Sequence, residues 1–504
     1  MQNLHGREFE YSSDKRDKLS TTRSGAKFSR VVTPAWACSI QSVNLDMIMC
    51  QHLLQHHAQL TQLTSLTCMN WSLFTARDLT WLGAITTLRE LQLGHSFTWP
   101  GYNEQANPLP LDALTRLSGL VKLRLAFGGG THHLPPQLPA LRELQLALYS
   151  CHNPWNLLNE CRGLTSLLLT ARPSLRWAEF GATYERQLCM AIAGMSNLQE
   201  LSLCGFDKSY MGFSGGSQSQ AVNLPALTSL SLMGEVGGDL SFTLRALMPA
   251  CGLRVLSLLN TNEPLEMMLG ARGNGCLKDL QSLTMCASRS VDTDHYGWGE
   301  LPCECSNLTK LVLSGRGCHV DTASLVACTS LESLDITYNE DDPEFDVEMT
   351  SDRDPTVQIA RALLHPCFSQ QLTEFRYNYS GEEKLGTPDS HGMLIASLAG
   401  LQRLKVLELF YSDAPMTQFS LLMPTLASLE ILQLGTIEWV PSLLSVLTRQ
   451  PSLKLVSFEH IVDKEDHEMV YNDNVKFAKQ IEKHCDFFYG FTPWASAELL
   501  RTNT

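Results

Sequence analysis

Cysteines and histidines are the residues of this sequence with the clearest potential for chemistry, because they can bind metal ions or act as nucleophiles. Three cysteines and a histidine lie within residues 303–319, but they open with Cys-x-Cys, whereas structural zinc sites favour Cys-x(2–4)-Cys. His52 and His56 are four residues apart, yet a leucine stands where a zinc protease has its catalytic glutamate. We therefore predict no metal site and no other cofactor.

Motifs of catalysis are also missing from the sequence. It contains no Walker loop, dinucleotide fingerprint, nucleophile elbow or kinase motif. The three glycines at 128–130 do not have a phosphate-binding spacing. These absences predict that the protein is not an enzyme and that its chemistry is recognition.

Charge and composition narrow the class of partner. The 504 residues carry 38 basic and 52 acidic side chains, for a formal charge of −14. Nucleic-acid binders carry a basic footprint, and an anionic membrane repels an acidic protein. The sequence has no apolar run of membrane-spanning length and no secretory signal. We therefore expect a protein partner, no nucleic acid, no membrane, and a cytoplasmic or nuclear location.

The elements that position any binding residues appear as a repeated phrase of leucines. It reads LRELQL at 88–93, LVKLRL at 120–125 and LTKLVL at 308–313. We call the central apolar residue of each copy its anchor. The anchors are Leu66, Leu91, Leu123, Leu144, Leu167, Leu201, Leu230, Leu256, Leu283, Leu311, Leu334, Phe375, Leu407, Leu432 and Val456. Their mean spacing of about 28 residues is typical of leucine-rich repeats.

This periodicity predicts an α/β fold, a leucine-rich repeat solenoid of about 15 repeats. Each phrase forms a short strand whose leucines point inward and whose intervening residues point outward. We expect a curved horseshoe with a parallel sheet on its concave face and helices and irregular turns on its convex face. The asparagine ladder of regular repeats is nearly absent, because only Asn339 occupies that position.

The array leaves segments at both ends of the chain. Residues 1–30 are polar and charged, which predicts a disordered tail. Residues 31–57 are predicted to form an N-terminal cap with a strand and a helix, or to be the remnant of an adaptor-binding module. Residues 58–462 are the repeat domain, and 463–504 are a C-terminal helical cap and tail, with a helix predicted within 474–491.

One pair of repeats is specific enough to suggest a subtype. Residues 305–336, CSNLTKLVLSGRGCHVDTASLVACTSLESLDI, resemble the cysteine-containing repeats of F-box/leucine-rich repeat proteins, and the phrase that begins at Cys161 fits their opening. The resemblance implies a substrate receptor of a cullin–RING ubiquitin ligase, with Skp1 and a cullin as partners. The F-box itself is not recognisable, apart from a faint similarity of residues 29–36 to its end.

The first group of candidate binding residues faces outward from the predicted strands. It comprises Glu90, Gln92, Lys122, Arg124, Glu143, Gln145, Asp335, Arg376 and Glu408. Two interpretations stay open. Opposite charges on adjacent strands can simply stabilise the sheet, or the face can recognise a protein, as in other solenoids.

A second group consists of aromatic residues just beyond the strands, on one rim. It comprises Trp71, Trp99, Tyr149, Trp155 and Tyr411. Tryptophan and tyrosine are favoured interface anchors, but these side chains can equally pack between repeats.

The sequence thus predicts a non-enzymatic protein-interaction scaffold, in its more specific form the receptor part of an F-box-type ligase. Two alternatives stay open. One is a leucine-rich repeat regulator of a small GTPase, of the GTPase-activating type, acting through Arg172 or Arg316, each just past a strand. The other is a structural subunit of a large assembly. The sequence names neither the partner nor the oligomeric state.

Overall fold

A computed structural model of the chain describes part of its length. The described residues are 9–10, 37–45, 47–68, 74–94, 111–126, 138–148, 155–171, 190–205, 224–234, 252–261, 277–287, 305–315, 322–338, 354–379, 388–410, 416–438, 445–447, 449–462 and 487–488. The chain divides into two compact units, described in turn below. The fold is an α/β leucine-rich repeat solenoid.

Unit 1 comprises Met1–Glu235 and Phe242–Gly252. Its described strands form a parallel sheet in which each strand pairs with the next one along the chain. The strands are β1 Phe9–Glu10, β2 Ser42–Leu45, β3 Ser65–Cys68, β4 Glu90–Leu93, β5 Lys122–Ala126, β6 Glu143–Leu148, β7 Ser166–Ala171, β8 Glu200–Cys204 and β9 Ser229–Met233.

Unit 2 comprises Val236–Ser241 and Leu253–Thr504. Its described strands pair in the same sequential, parallel manner. The strands are β10 Val255–Thr261, β11 Ser282–Ala287, β12 Lys310–Ser314, β13 Ser333–Tyr338, β14 Glu374–Tyr379, β15 Val406–Phe410, β16 Ile431–Glu438, β17 Leu455–Val462 and β18 Phe487–Phe488.

The predicted anchors set the register of both sheets. Each of the fifteen lies in its own strand, from β3 to β17, and within each unit every anchor pairs with the anchor of the next strand. The same register continues to Val43 of β2 and Phe488 of β18. The prediction of about 15 repeats built on parallel strands is confirmed.

Alternation along each strand separates the core from the opposite face. In β5, Leu123 and Leu125 are fully buried, whereas Lys122 and Arg124 remain partly exposed. The same pattern holds in β15, where Leu407 and Leu409 are buried between partly exposed neighbours. Burying a leucine contributes about 2 kcal/mol, so the repeated leucines stabilise the stack.

Helices connect the strands and contribute to the same cores. The α-helices are α1 Met47–Leu54, α2 Ala76–Gly83, α3 Trp155–Glu160, α4 Thr322–Ala327, α5 Pro355–Leu363, α6 Pro366–Gln371, α7 Pro388–Leu398 and α8 Met416–Leu422. The 3₁₀-helices are His57–Gln59, Leu111–Arg116 and Met423–Thr425. Helix α4 lies within the pair of repeats at residues 305–336 that resembles the cysteine-containing subtype.

Local sequence explains where two of these helices begin. Thr75 and Asp78 form a reciprocal capping box at the start of α2. Asp354 caps α5 by accepting a hydrogen bond of 2.8 Å from the Thr356 amide, and Pro355 follows it in the first turn. Such caps satisfy backbone N–H groups that have no partner within the helix.

A ladder of threonine hydroxyls crosses the turn before several strands. Thr165 Oγ1 donates to the Arg142 carbonyl at 3.2 Å, and Thr309 Oγ1 donates to the Gln281 carbonyl at 3.0 Å. Thr64, Thr228 and Thr373 make the same bond to the preceding repeat. Each threonine lies two residues before its anchor, so the repeats are linked at a fixed point.

The chain ends differ in part from the sequence-based expectation. Residues 42–54 contain β2 and α1, whereas β1 is a short strand inside the segment predicted to be a disordered tail. Phe487–Phe488 form β18, although a helix was expected there. Aromatic residues favour strands, and β17 offers these two an edge with which to pair. The rest of the predicted C-terminal helix lies outside the described residues.

Candidate binding surface

Two rows of side chains run across each sheet on the face opposite the leucine core. The first row holds the residue immediately before each anchor, and the second row holds the residue immediately after it. In unit 1, Glu90, Lys122 and Glu143 are neighbours in the first row, whereas Gln92 and Arg124 are neighbours in the second. Adjacent strands are about 4.8 Å apart, so neighbours in a row can interact.

Strands β4–β6 bring six of the predicted residues together. Lys122 Nζ lies 2.6 Å from Glu143 Oε2, and their side chains are 27% and 41% exposed. Glu90 accepts a hydrogen bond from the Ser65 hydroxyl at 3.3 Å. Beside them, Gln92, Arg124 and Gln145 follow one another in the second row. We call these six residues the β4–β6 patch.

Arg124 is the least satisfied member of the β4–β6 patch. Its only hydrogen bond to another described residue runs from Nη1 to Gln92 Oε1 and is long, at 3.4 Å. Its Nε atom is buried and donates to no acceptor in the structure. A buried donor without an acceptor costs about 1–3 kcal/mol.

Strands β13–β15 bring the three remaining predicted strand residues together. Asp335, Arg376 and Glu408 follow one another in the second row. Arg376 Nε donates to Glu408 Oε1 at 2.9 Å, and its Nη1 donates to Glu374 Oε2 at 3.2 Å. Glu374 also accepts from the Ser333 hydroxyl at 3.2 Å. We call Asp335, Glu374, Arg376 and Glu408 the β13–β15 cluster.

Burial and neighbouring charges perturb one carboxyl of this cluster. The pKa of Asp335 is raised, mainly because burial disfavours its charged form. The positive charge of Arg376 opposes this change, whereas the negative charge of Glu408 adds to it. The cluster is therefore held together by the ion pairs of Arg376 with Glu374 and Glu408.

The contacts support one of the two interpretations that the sequence left open. Lys122 with Glu143 and Arg376 with Glu408 form cross-strand ion pairs, so these residues stabilise the sheet. Arg124 forms no ion pair with a described residue. Recognition of a protein by this face stays a prediction.

The predicted aromatic rim falls almost wholly outside the described residues. The residues concerned are Trp71, Trp99, Tyr149 and Tyr411. Trp155 is the first residue of α3, and its side chain lies outside the described part of the molecule. These five residues stay candidates for partner binding.

The outward face also holds apolar residues that the sequence interpretation did not select. Val406, Ile431 and Leu455 are first-row neighbours on β15, β16 and β17, and all three are partly exposed. The repeated phrase itself contains the signal that identifies them. Each immediately precedes an anchor and therefore faces away from the core.

The cysteines of the repeats lie in the core of the fold. Cys161, Cys305 and Cys328 are buried at the turn that precedes a strand, each six residues before its anchor. Burial raises the pKa of Cys161 and of Cys328 to about 12. These thiols therefore behave as small apolar side chains.

Within the described ranges, no set of three or more histidine, cysteine, aspartate or glutamate side chains is arranged to hold a metal ion. None of the described helices combines the length and apolar character that crossing a bilayer requires.

No protein-family model matches the chain, and no curated protein matches it. Several solved structures superimpose on most of it, with low scores. The structure of the TLR13–ssRNA13 complex gives a TM-score of 0.33 at 15% identity and covers 92% of this chain. The ectodomain of the receptor kinase GASSHO1/SCHENGEN3 from Arabidopsis thaliana, in complex with CASPARIAN STRIP INTEGRITY FACTOR 2, gives 0.37 at 15% identity over 86%.

This chain spans 63% of the TLR13 chain and 52% of the GASSHO1/SCHENGEN3 chain. The leucine-rich repeat protein LIC12759 of Leptospira interrogans gives a TM-score of 0.36 at 14% identity, with 90% of this chain and 97% of that chain covered.

Proposed function

We propose that the protein is a non-enzymatic scaffold that binds a protein partner on the outward faces of its sheets. The observation that carries this proposal is the separation of roles within each strand. The leucines and other anchors supply the core, whereas the two outward rows display varied, partly exposed side chains on a backbone fixed by hydrogen bonds.

A rigid display of this kind favours binding. Side chains fixed to paired strands lose little conformational freedom when a partner docks, and this lowers the entropic cost of association. The rows present charged, amide, hydroxyl and aliphatic groups within a few strands of one another. Such a mixture suits the varied surface of a protein better than the uniform backbone of a nucleic acid.

The test compares substitutions on the outward face with one on the helices. Ser202 and Gln433 lie in the second rows of β8 and β16. Leu421 of α8 is 78% exposed and serves as the matched control. Tagged wild type, Ser202→Arg, Gln433→Arg and Leu421→Arg are used to capture proteins from cell extract, with quantification by mass spectrometry.

We expect at least one outward variant to lose a partner that wild type and Leu421→Arg retain. Equal capture by all four proteins would contradict the proposal. Nuclease treatment of the extract is a further arm. If the captured material disappears with nuclease, the partner is nucleic acid and the proposal of a protein partner fails.

In its more specific form, the proposal assigns the protein to the substrate receptors of F-box-type ubiquitin ligases. Its support is the equivalent placement of Cys305 and Cys328, both buried at the same point of successive repeats, as in the resemblance described above. We propose that residues 31–57 serve as an N-terminal cap, supported by the strand and helix at 42–54. Absence of Skp1 and a cullin from the captured material would end the ligase assignment.

The GTPase-regulator alternative depends on Arg172 or Arg316, and both residues lie outside the described part of the chain. GTP hydrolysis by candidate GTPases, measured with wild type, Arg172→Ala and Arg316→Ala, tests it directly. If wild type does not stimulate GTP hydrolysis, this alternative is excluded. The remaining alternative, a structural subunit of a large assembly, would be favoured by co-sedimentation of the protein in a large complex.

A further inference from the structure

Arg124 and Arg376 hold the same position in their repeats, one residue after the anchor, but their surroundings differ in charge. The Arg376 guanidinium donates to two carboxylates, Glu408 at 2.9 Å and Glu374 at 3.2 Å. The Arg124 guanidinium meets no carboxylate among the described residues and donates only to the neutral amide of Gln92, at 3.4 Å. One arginine is saturated by the protein itself, and the other is not.

The donors of the Arg124 guanidinium are incompletely satisfied by the protein. Its Nε is buried and has no acceptor, which is rare in native proteins, and because the side chain as a whole is only partly buried, an incoming group would meet the guanidinium at its two Nη atoms. A guanidinium presents its donors as a planar fork that matches a carboxylate bidentately. Arg124 therefore lacks the kind of acceptor that Glu374 and Glu408 supply to Arg376.

The neighbours of Arg124 complete a site of suitable chemistry. Gln92 and Gln145 flank it in the second row, on β4 and β6, and each amide can donate through its NH₂ group. The nearest carboxylates of the first row are already engaged, Glu143 by Lys122 and Glu90 by Ser65. An incoming anion would meet three donors in line across three strands.

We propose that Arg124, flanked by Gln92 and Gln145, binds a carboxylate of an aspartate or glutamate side chain on the protein partner. This inference rests on the proposed function, because it assigns the chemistry of one contact on the outward face. The net charge of −14 does not prevent the contact, because charges more than about 8 Å apart are largely screened at physiological salt.

The experiment selects binding peptides from a random phage-displayed library on wild-type protein. The selected peptides are then titrated against wild type, Arg124→Gln and Arg77→Gln, with Ser202→Arg as a variant that blocks the outward face. Arg77 is an exposed arginine of α2, away from the outward rows. We expect wild type to enrich peptides with Asp or Glu at one fixed position. Arg124→Gln should weaken these peptides about 10- to 100-fold, the range of a charge-assisted hydrogen bond, whereas Arg77→Gln should leave their affinity within about threefold.

Other outcomes separate this inference from the proposed function. Acidic enrichment that persists on Arg124→Gln would overturn the inference. Peptides that lose binding with Ser202→Arg but carry no preferred carboxylate would also overturn it, and the proposed function would stand. A selection in which no peptide depends on the outward rows would contradict both.

Two controls address the identity of the anion and the folding of the variants. Displacement of a selected peptide by inorganic phosphate more strongly than by acetate, at equal ionic strength, would assign the site to phosphate groups and overturn the carboxylate. Circular dichroism and thermal unfolding show whether each variant is folded. Arg124→Lys keeps the positive charge but lacks the planar pair of donors of a guanidinium. The affinity of this variant for the peptides should therefore fall between those of wild type and Arg124→Gln.

Discussion

At the residue scale, the two outward arginines show how one repeat position serves different purposes. Arg376 joins two strands by bonding to Glu374 and Glu408, and its side chain is 30% exposed. Arg124 lies between glutamines and retains an unsatisfied donor. The first arginine acts within the sheet, and we propose that the second binds a partner.

This difference predicts unequal effects on stability. Arg376→Gln leaves three carboxylates close together without their cation and should lower the free energy of unfolding by about 1 kcal/mol, the upper range for exposed ion pairs. Arg124→Gln removes a buried donor that has no acceptor, so it should leave that free energy unchanged or raise it by up to about 1–3 kcal/mol. Urea denaturation of both variants measures this, and equal losses would contradict the assignment of roles.

The raised pKa of Asp335 predicts a pH-dependent effect. Because burial makes the folded state bind the proton more tightly than the unfolded state, the stabilisation from Asp335 is present below its unfolded pKa. It is lost as pH rises through the folded pKa. Asp335→Asn should therefore have a higher Tm than wild type at pH 7. The gain should shrink as pH falls through the raised folded pKa of Asp335, and it should be lost below the unfolded value of about 4. A lower Tm for the variant at pH 7 would show that attraction to Arg376 outweighs burial.

At the element scale, the strands were predictable from the sequence and several contacts were not. Each of the fifteen anchors lies in a strand. The leucine pattern predicts them well, because shifting a strand by one residue would turn its leucines from the core to the opposite face. Aligning the anchors also placed Asp335, Arg376 and Glu408 side by side. The alignment did not reveal which carboxylates bond to Arg376, because that depends on side-chain rotamers. It also missed the strand at 487–488, where pairing with β17 decides the conformation.

The threonine ladder is the element-scale feature with the most direct consequence. Thr165→Val and Thr309→Val keep the branched shape and remove the hydroxyls that donate to the preceding repeat. Each should lower the free energy of unfolding by about 0.5–1 kcal/mol, measured by urea denaturation. The matching serine variants keep a hydroxyl and should retain part of that stability. Valine variants as stable as wild type would show that the ladder contributes nothing.

At the scale of the whole molecule, the stacked repeats imply that stability is shared mainly between neighbours. Leu144 of β6 is fully buried, and Leu144→Ala should cost about 2–5 kcal/mol. Hydrogen exchange followed by mass spectrometry should show the largest loss of protection in β5, β6 and β7, and little loss in β2. A uniform loss from β2 to β9 would show that unit 1 unfolds as a single cooperative block.

The central claim is that a partner binds to the outward face of the sheets, and site-specific photo-crosslinking tests it most directly. A photoreactive amino acid is introduced at Ser202 or Gln433 on that face, or at Leu421 on α8, and the protein is irradiated in cells. The account predicts a protein adduct of defined mass from at least one outward position and none from Leu421. Adducts from Leu421 alone would place the binding surface on the helices and contradict the account.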